Sequence, residues 1–156
     1  MKTLVWRGLD IPLMEVARVE TEDGELTAVG TQLGVAYELR YRLEPQRLHL
    51  ELVGEGEGER ELDVGLDGCD FFDLGYSPLF NSLPVRRDGL LADEPAREYV
   101  MRWVRVPELE ASELRQRYEP LGGGVVRYSS DSFTAEIEFD ADGFVTRYPG
   151  LAERVG

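Results

Sequence analysis

Cysteine, histidine and lysine each occur once in this chain, as Cys69, His49 and Lys2. A single cysteine excludes an internal disulfide framework and an all-cysteine metal site. No apolar run approaches ~20 residues, so no membrane-spanning helix is expected. The opening residues, MKTLVWRGLD, hold neither a long apolar core nor a small-residue cleavage site. No secretion signal is therefore expected, and the cytoplasm is the expected location. Positive charge is also scarce: 17 Lys+Arg stand against 31 Asp+Glu, for a formal net charge of −14. Such a surface repels nucleic-acid phosphates and anionic membrane faces, so neither is an expected partner. Nearly all the positive charge is arginine, whose guanidinium can grip a planar anion through two parallel hydrogen bonds.

A helical apolar stripe of ordinary length is missing as well. What the chain has instead is alternation. In residues 35–44, Val35, Tyr37, Leu39, Tyr41 and Leu43 fall on one face, with Glu38, Arg40 and Arg42 on the other. Leu48, Leu50 and Leu52 alternate with His49 and Glu51, and Leu62, Val64 and Leu66 continue the pattern. Further strands are expected over residues 3–6, 13–21, 25–33, 96–106, 125–128, 132–139 and 144–148. Glu22-Asp23-Gly24 between two β-prone runs signals a hairpin. The two glycines of ELTAVGTQLG suggest a bulge or bend. Glu55-Gly-Glu-Gly58 reads as a solvated turn. Residues 108–117 offer weak anchors, Leu109 and Leu114, for one or two helical turns, and residues after Leu151 read as a short extension. The expected fold is a single all-β domain over residues 1–156: an antiparallel curled sheet, β-roll or half-barrel with at most one short helix.

The chemistry concentrates in residues 66–87, LDGCDFFDLGYSPLFNSLPVRR. Their apolar residues follow neither a period of 2 nor one of 3.6, and Gly, Pro, Asn and Asp are dense. A structured connection presented by a scaffold is the expectation. If residues 85–87 are extended, Arg86 and Arg87 point to opposite sides, one into a cleft and one bracing its wall. Either guanidinium beside Asp67 or Asp73 makes an anion site or a structural ion pair. Asn81 suits a turn cap or a contact to a sugar hydroxyl. Cys69 lies among aspartates that disfavour its thiolate, and a dyad with His49 requires the fold to bring the two together. Asp67, Asp70 and Asp73 are too widely spaced for a calcium loop and are interrupted by Phe71-Phe72, so no metal is expected there. Nothing in the chain calls for a cofactor.

This stretch, together with QRYEPL at 116–121 and DADGFVTRYPGLAERV at 140–155, resembles the putative glycolipid-binding protein family of small bacterial proteins. The resemblance implies a curled antiparallel sheet with an internal cleft, comparable to the half-open barrels of periplasmic lipoprotein carriers. By position the motif residues are Asp67, Gly68, Cys69, Asp73, Pro78, Asn81, Pro84, Arg86, Arg87, Tyr118 and Tyr148. The chain departs from the family pattern at Phe71 and at Phe80, where the family tends to carry an acidic residue and a threonine. The expected activity is non-catalytic binding of an amphipathic small molecule such as a glycolipid or its precursor. An apolar cleft would take the tail, and a rim of Asp67, Cys69, Asp73, Asn81, Arg86, Arg87 and Tyr118 would take the head group. The alternatives are an enzyme acting on such a ligand with an aspartate as general acid or base, and a protein-interaction module without a ligand.

Overall fold

The computed structural model describes residues 1–54, 56 and 58–156. Glu55 and Glu57 of the expected turn lie outside the described residues. Among the described residues, thirteen strands form one sheet. The first half is a meander of β1 (Lys2–Gly8), β2 (Met14–Glu22), β3 (Glu25–Leu33), β4 (Tyr37–Leu43), β5 (Arg47–Gly54) and β6 (Gly58–Gly65). The Asp23-Gly24 hairpin forms as its sequence requires, both residues taking positive φ (53° and 80°). No bulge interrupts β2–β3, which pair in continuous register from Met14↔Leu33 to Glu22↔Glu25. Gly30 in β3 and Gly34 just after it have another cause. A Cβ on Gly30 would stand 2.2 Å from the Tyr41 ring, and one on Gly34 the same distance from Tyr37. Both are clearances for aromatic side chains.

The second half runs β8 (Arg97–Arg105), β9 (Glu110–Gly122), β10 (Val125–Ser130), β11 (Phe133–Phe139), β12 (Val145–Tyr148) and β13 (Ala152–Arg154). Residues 108–117 are strand rather than helix, because β9 pairs with β8 from Arg105↔Glu110 to Arg97↔Tyr118. The short extension expected after Leu151 is also a strand. β13 pairs with both β1 and β12 and so joins the two meanders into one sheet.

The 66–87 stretch departs most from expectation. It contains β7 (Phe71–Leu74) and one α-helix, α1 (Pro78–Asp88). β7 runs parallel to β8, and α1 is the crossover between them. The helix starts at Ser77, in extended conformation, with Pro78 at its first turn, and ends at Gly89 in the left-handed region. Those are ordinary start and stop signals. Its apolar stripe is missing because the helix lies across the concave face of the sheet, buried on several sides: Leu79, Phe80, Asn81, Ser82, Pro84 and Val85 are all buried. Phe80 meets Tyr41 edge to face at 5.5 Å. Around it pack Leu39, Leu48, Leu50 and Leu52, each 0% exposed. Each contributes about 1.5–3 kcal/mol of burial. The interior is therefore filled by α1, and open space remains at the two ends of the helix. Among the described residues, no helix is long and apolar enough to cross a membrane.

Candidate functional site

At the N-terminal end of α1 a cleft of about 590 Å³ opens between the helix, β7–β8 and β10–β12. Its floor carries Asp73 and Asn81, and its walls include Trp103, Tyr128, Phe133 and Tyr148. Three of these rings form a continuous group. Phe133 stacks on Tyr148 at 6.4 Å, and Tyr128 lies 6.1 Å from Phe133 and 6.3 Å from Tyr148. Beneath them runs a chain of hydrogen bonds. Asn81 Nδ2 donates to the Tyr118 hydroxyl (3.1 Å), which donates to Gln116 Oε1 (3.3 Å), while Gln116 Nε2 donates to Asp73 Oδ2 (2.7 Å). Burial pushes the Asp73 carboxyl up to about 6, against the pull of its bond from Gln116. Burial likewise raises the phenols of Tyr128 and Tyr148, so both present neutral hydroxyls to the cleft.

A second buried carboxyl stands on the other side of the helix start. Glu15, on the inward register of β2 and 1% exposed, accepts hydrogen bonds from Ser77 Oγ (2.7 Å) and Tyr41 Oη (2.9 Å). Gln32 Nε2 lies 3.4 Å from its other oxygen and donates to the Gly75 carbonyl at 3.0 Å, and Tyr37 donates to Gln32 Oε1 at 2.6 Å. Desolvation raises Glu15 to about 7, more than these bonds lower it. This network ties β2, β3 and β4 to the turn that launches α1.

The C-terminal end of α1 borders a separate cleft of about 570 Å³, lined by Cys69, Phe72, Leu66, Leu83, Arg86 and Arg87. The two arginines are successive residues of a helix, about 100° apart around its axis, and not an extended pair. Neither extends freely into solvent. Arg86 lies over the Phe144 ring at 4.3 Å and donates to Thr21 Oγ1 (3.2 Å) and the Asp142 carbonyl. Arg87 lies over Phe71 at 4.2 Å and grips Asp88 through two bonds of 3.0 and 3.1 Å. That pairing holds the Asp88 carboxyl below its usual range. Cys69 is buried with its sulfur 3.9 Å from Glu113 Oε1, and burial followed by that carboxylate raises the thiol.

The residues expected to share one rim are thus divided. Asp73, Asn81 and Tyr118 belong to one hydrogen-bonded chain at the start of α1, where Tyr118 supports the floor from below. Cys69, Arg86 and Arg87 sit toward its other end, with Arg86 five residues and so about 7.5 Å along the helix axis from Asn81. Asp67 lies on the outside and pairs with Arg102 at 3.3 Å. Asp70 accepts the Val100 amide (2.8 Å), so the three aspartates do not converge. Nor do Cys69 and His49 meet, since the imidazole faces Glu51 and Glu61. The two departures from the family pattern have structural uses: Phe71 is the platform for Arg87, and Phe80 packs in the core. Sequence reasoning missed Gln116, Glu15, Gln32 and Ser77. Gln116 was within reach, beside Tyr118 in QRYEPL. The signal for Glu15 was a carboxylate in register with Leu13, Ala17 and Val19, all of them buried.

A family model described as "Putative glycolipid-binding" matches residues 37–154. The chain is also similar to a solved structure from Pseudomonas aeruginosa, described as a DUF1089 family protein. The two share 25% sequence identity and a TM-score of 0.72, with 90% of this chain and 92% of the other covered. No curated protein matches.

Proposed function

The chain belongs to the putative glycolipid-binding family, and on that premise we propose that it binds an amphipathic glycoside at the cleft by the start of α1. The observation that carries this reading is the pairing of Asp73 and Asn81 on the floor with Tyr128, Phe133, Tyr148 and Trp103 on the walls. Carboxylate and carboxamide groups accept from and donate to sugar hydroxyls, and ring faces pack on the apolar faces of a pyranose. Leu74, Val106 and Leu151 continue the lining with apolar surface for the start of an alkyl tail. A cavity of this size and mixed lining is what a small-molecule site presents.

Trp103 lines the cleft, whereas Trp6 is buried and hydrogen-bonded to the Val145 carbonyl. Titration with octyl glucoside below its micelle concentration is therefore expected to change tryptophan fluorescence in a saturable way. Phe133 is 50% exposed, so Phe133→Ala leaves the core intact and is expected to weaken binding about tenfold, the scale of one lost ring contact. A wild-type signal that never saturates, or one that Phe133→Ala leaves unchanged, refutes the site.

The raised Asp73 carboxyl supports a second reading, in which Asp73 acts as general acid or base on the same ligand. Turnover of a nitrophenyl glycoside, lost in Asp73→Asn while glycoside binding persists, would favour the enzyme. Binding without turnover favours the carrier.

A further inference from the structure

We propose that His49, Glu51 and Glu61 form a binding site for a divalent transition metal of the zinc class, on the outer face of the sheet. His49 and Glu51 alternate along β5, and Glu61 and Asp63 along β6. The register sets His49 opposite Asp63 and Glu51 opposite Glu61, so four side chains share one face as a compact block. His49 Nε2 stands 3.4 Å from Glu51 Oε1 and 3.4 Å from Glu61 Oε1. Ligand atoms held at about 2.1 Å from a tetrahedral zinc stand about 3.4 Å from one another. Both carboxylate oxygens have that spacing from the imidazole nitrogen, and all three donor atoms lie within 4.8 Å of one another.

The other ring nitrogen also faces a carboxylate. His49 Nδ1 faces Asp63 Oδ2 at 3.8 Å, and Asp63 is itself held by Arg47 at 2.9 Å. A carboxylate on that side of the ring, drawn in to hydrogen-bond distance, would hold the tautomer whose Nε2 lone pair faces a metal. Two of the three nearby guanidiniums are directed elsewhere, and the third, Arg42, lies opposite His49 on β4. Arg47 takes Asp63, and Arg40, which is opposite Glu51 on β4, pairs with Glu38 at 3.6 Å. Among the described residues, Glu51 and Glu61 have no arginine or lysine partner, and His49 faces both. One nitrogen and two carboxylate oxygens suit zinc better than magnesium or calcium, which take all-oxygen sets. Three protein donors leave a fourth position for water.

The test is isothermal titration of the whole protein with zinc chloride, beside His49→Ala and Glu61→Gln. The expected result is one zinc per chain, at least tenfold weaker binding in Glu61→Gln, none in His49→Ala, and no displacement by millimolar magnesium. His49 is the only histidine, so its imidazole gives a single set of nitrogen resonances, and zinc should shift Nε2 much more than Nδ1. Absence of saturable binding, or equal binding by folded His49→Ala, overturns the site and would mean diffuse attraction to an acidic surface.

Discussion

Glu15 illustrates how one side chain can set the behaviour of a whole fold. Its carboxyl is buried among Tyr41, Ser77 and Gln32 and raised from 4.5 to about 7. The folded state therefore holds a proton between those values that the unfolded chain has released. The stabilisation is complete below about 4.5 and is lost as pH rises through about 7. A carboxyl moved this far carries about 3 kcal/mol across the window. Asp73, raised from 3.8 to about 6, acts in the same direction over a lower range. The expected outcome is a higher urea midpoint at pH 5 than at pH 8. Self-repulsion of an acidic chain tilts the curve the same way, so the diagnostic is the difference from Glu15→Gln. That variant keeps an oxygen acceptor but cannot ionise, and its pH dependence should be visibly flatter. Parallel curves for the two proteins would remove Glu15 as the cause.

At the scale of elements, the fold was legible wherever one face of a strand is wet. β4 and β5 alternate because their inward residues Leu39, Tyr41, Leu48 and Leu50 meet the core while Arg40, Arg42 and Glu51 do not. The same rule failed where its premise failed. In β9, residues Glu110, Ala111, Ser112 and Glu113 are all exposed, so no alternation marks the strand until Gln116 and Tyr118 turn inward. β13 spans only three residues, too few to show a period. The helix α1 is surrounded, and its polar members are satisfied by strands distant in sequence: Asn81 by Tyr118, and Ser82 by the Val145 amide, which donates to its hydroxyl at 3.1 Å. An element of that kind reads as a loop until its partners are known. Ser82 also supplies a measurable link. Ser82→Ala leaves the buried Val145 amide without an acceptor, and the expected loss in urea unfolding is about 1–3 kcal/mol. A neutral substitution would mean that α1 is held to β12 by packing alone.

Considered whole, the described residues form an open 13-stranded sheet curled around one helix, with clefts where that helix begins and ends and a third, of about 490 Å³, over β2–β4. Of the residues that the sequence singled out, Asp73, Asn81 and Tyr118 do lie together. Their separation from Arg86 and Arg87 was not legible in the sequence, because it depends on a helix that carries one group to each end. The central claim is that the ligand enters at the Asp73 end. Backbone amide NMR of the whole protein titrated with octyl glucoside locates binding directly. The account predicts shifts centred on Asp73, Asn81, Trp103 and Tyr148, with the amides of Leu83 to Arg87 unmoved. Shifts confined to the Arg86–Arg87 end, or none at all, would contradict it.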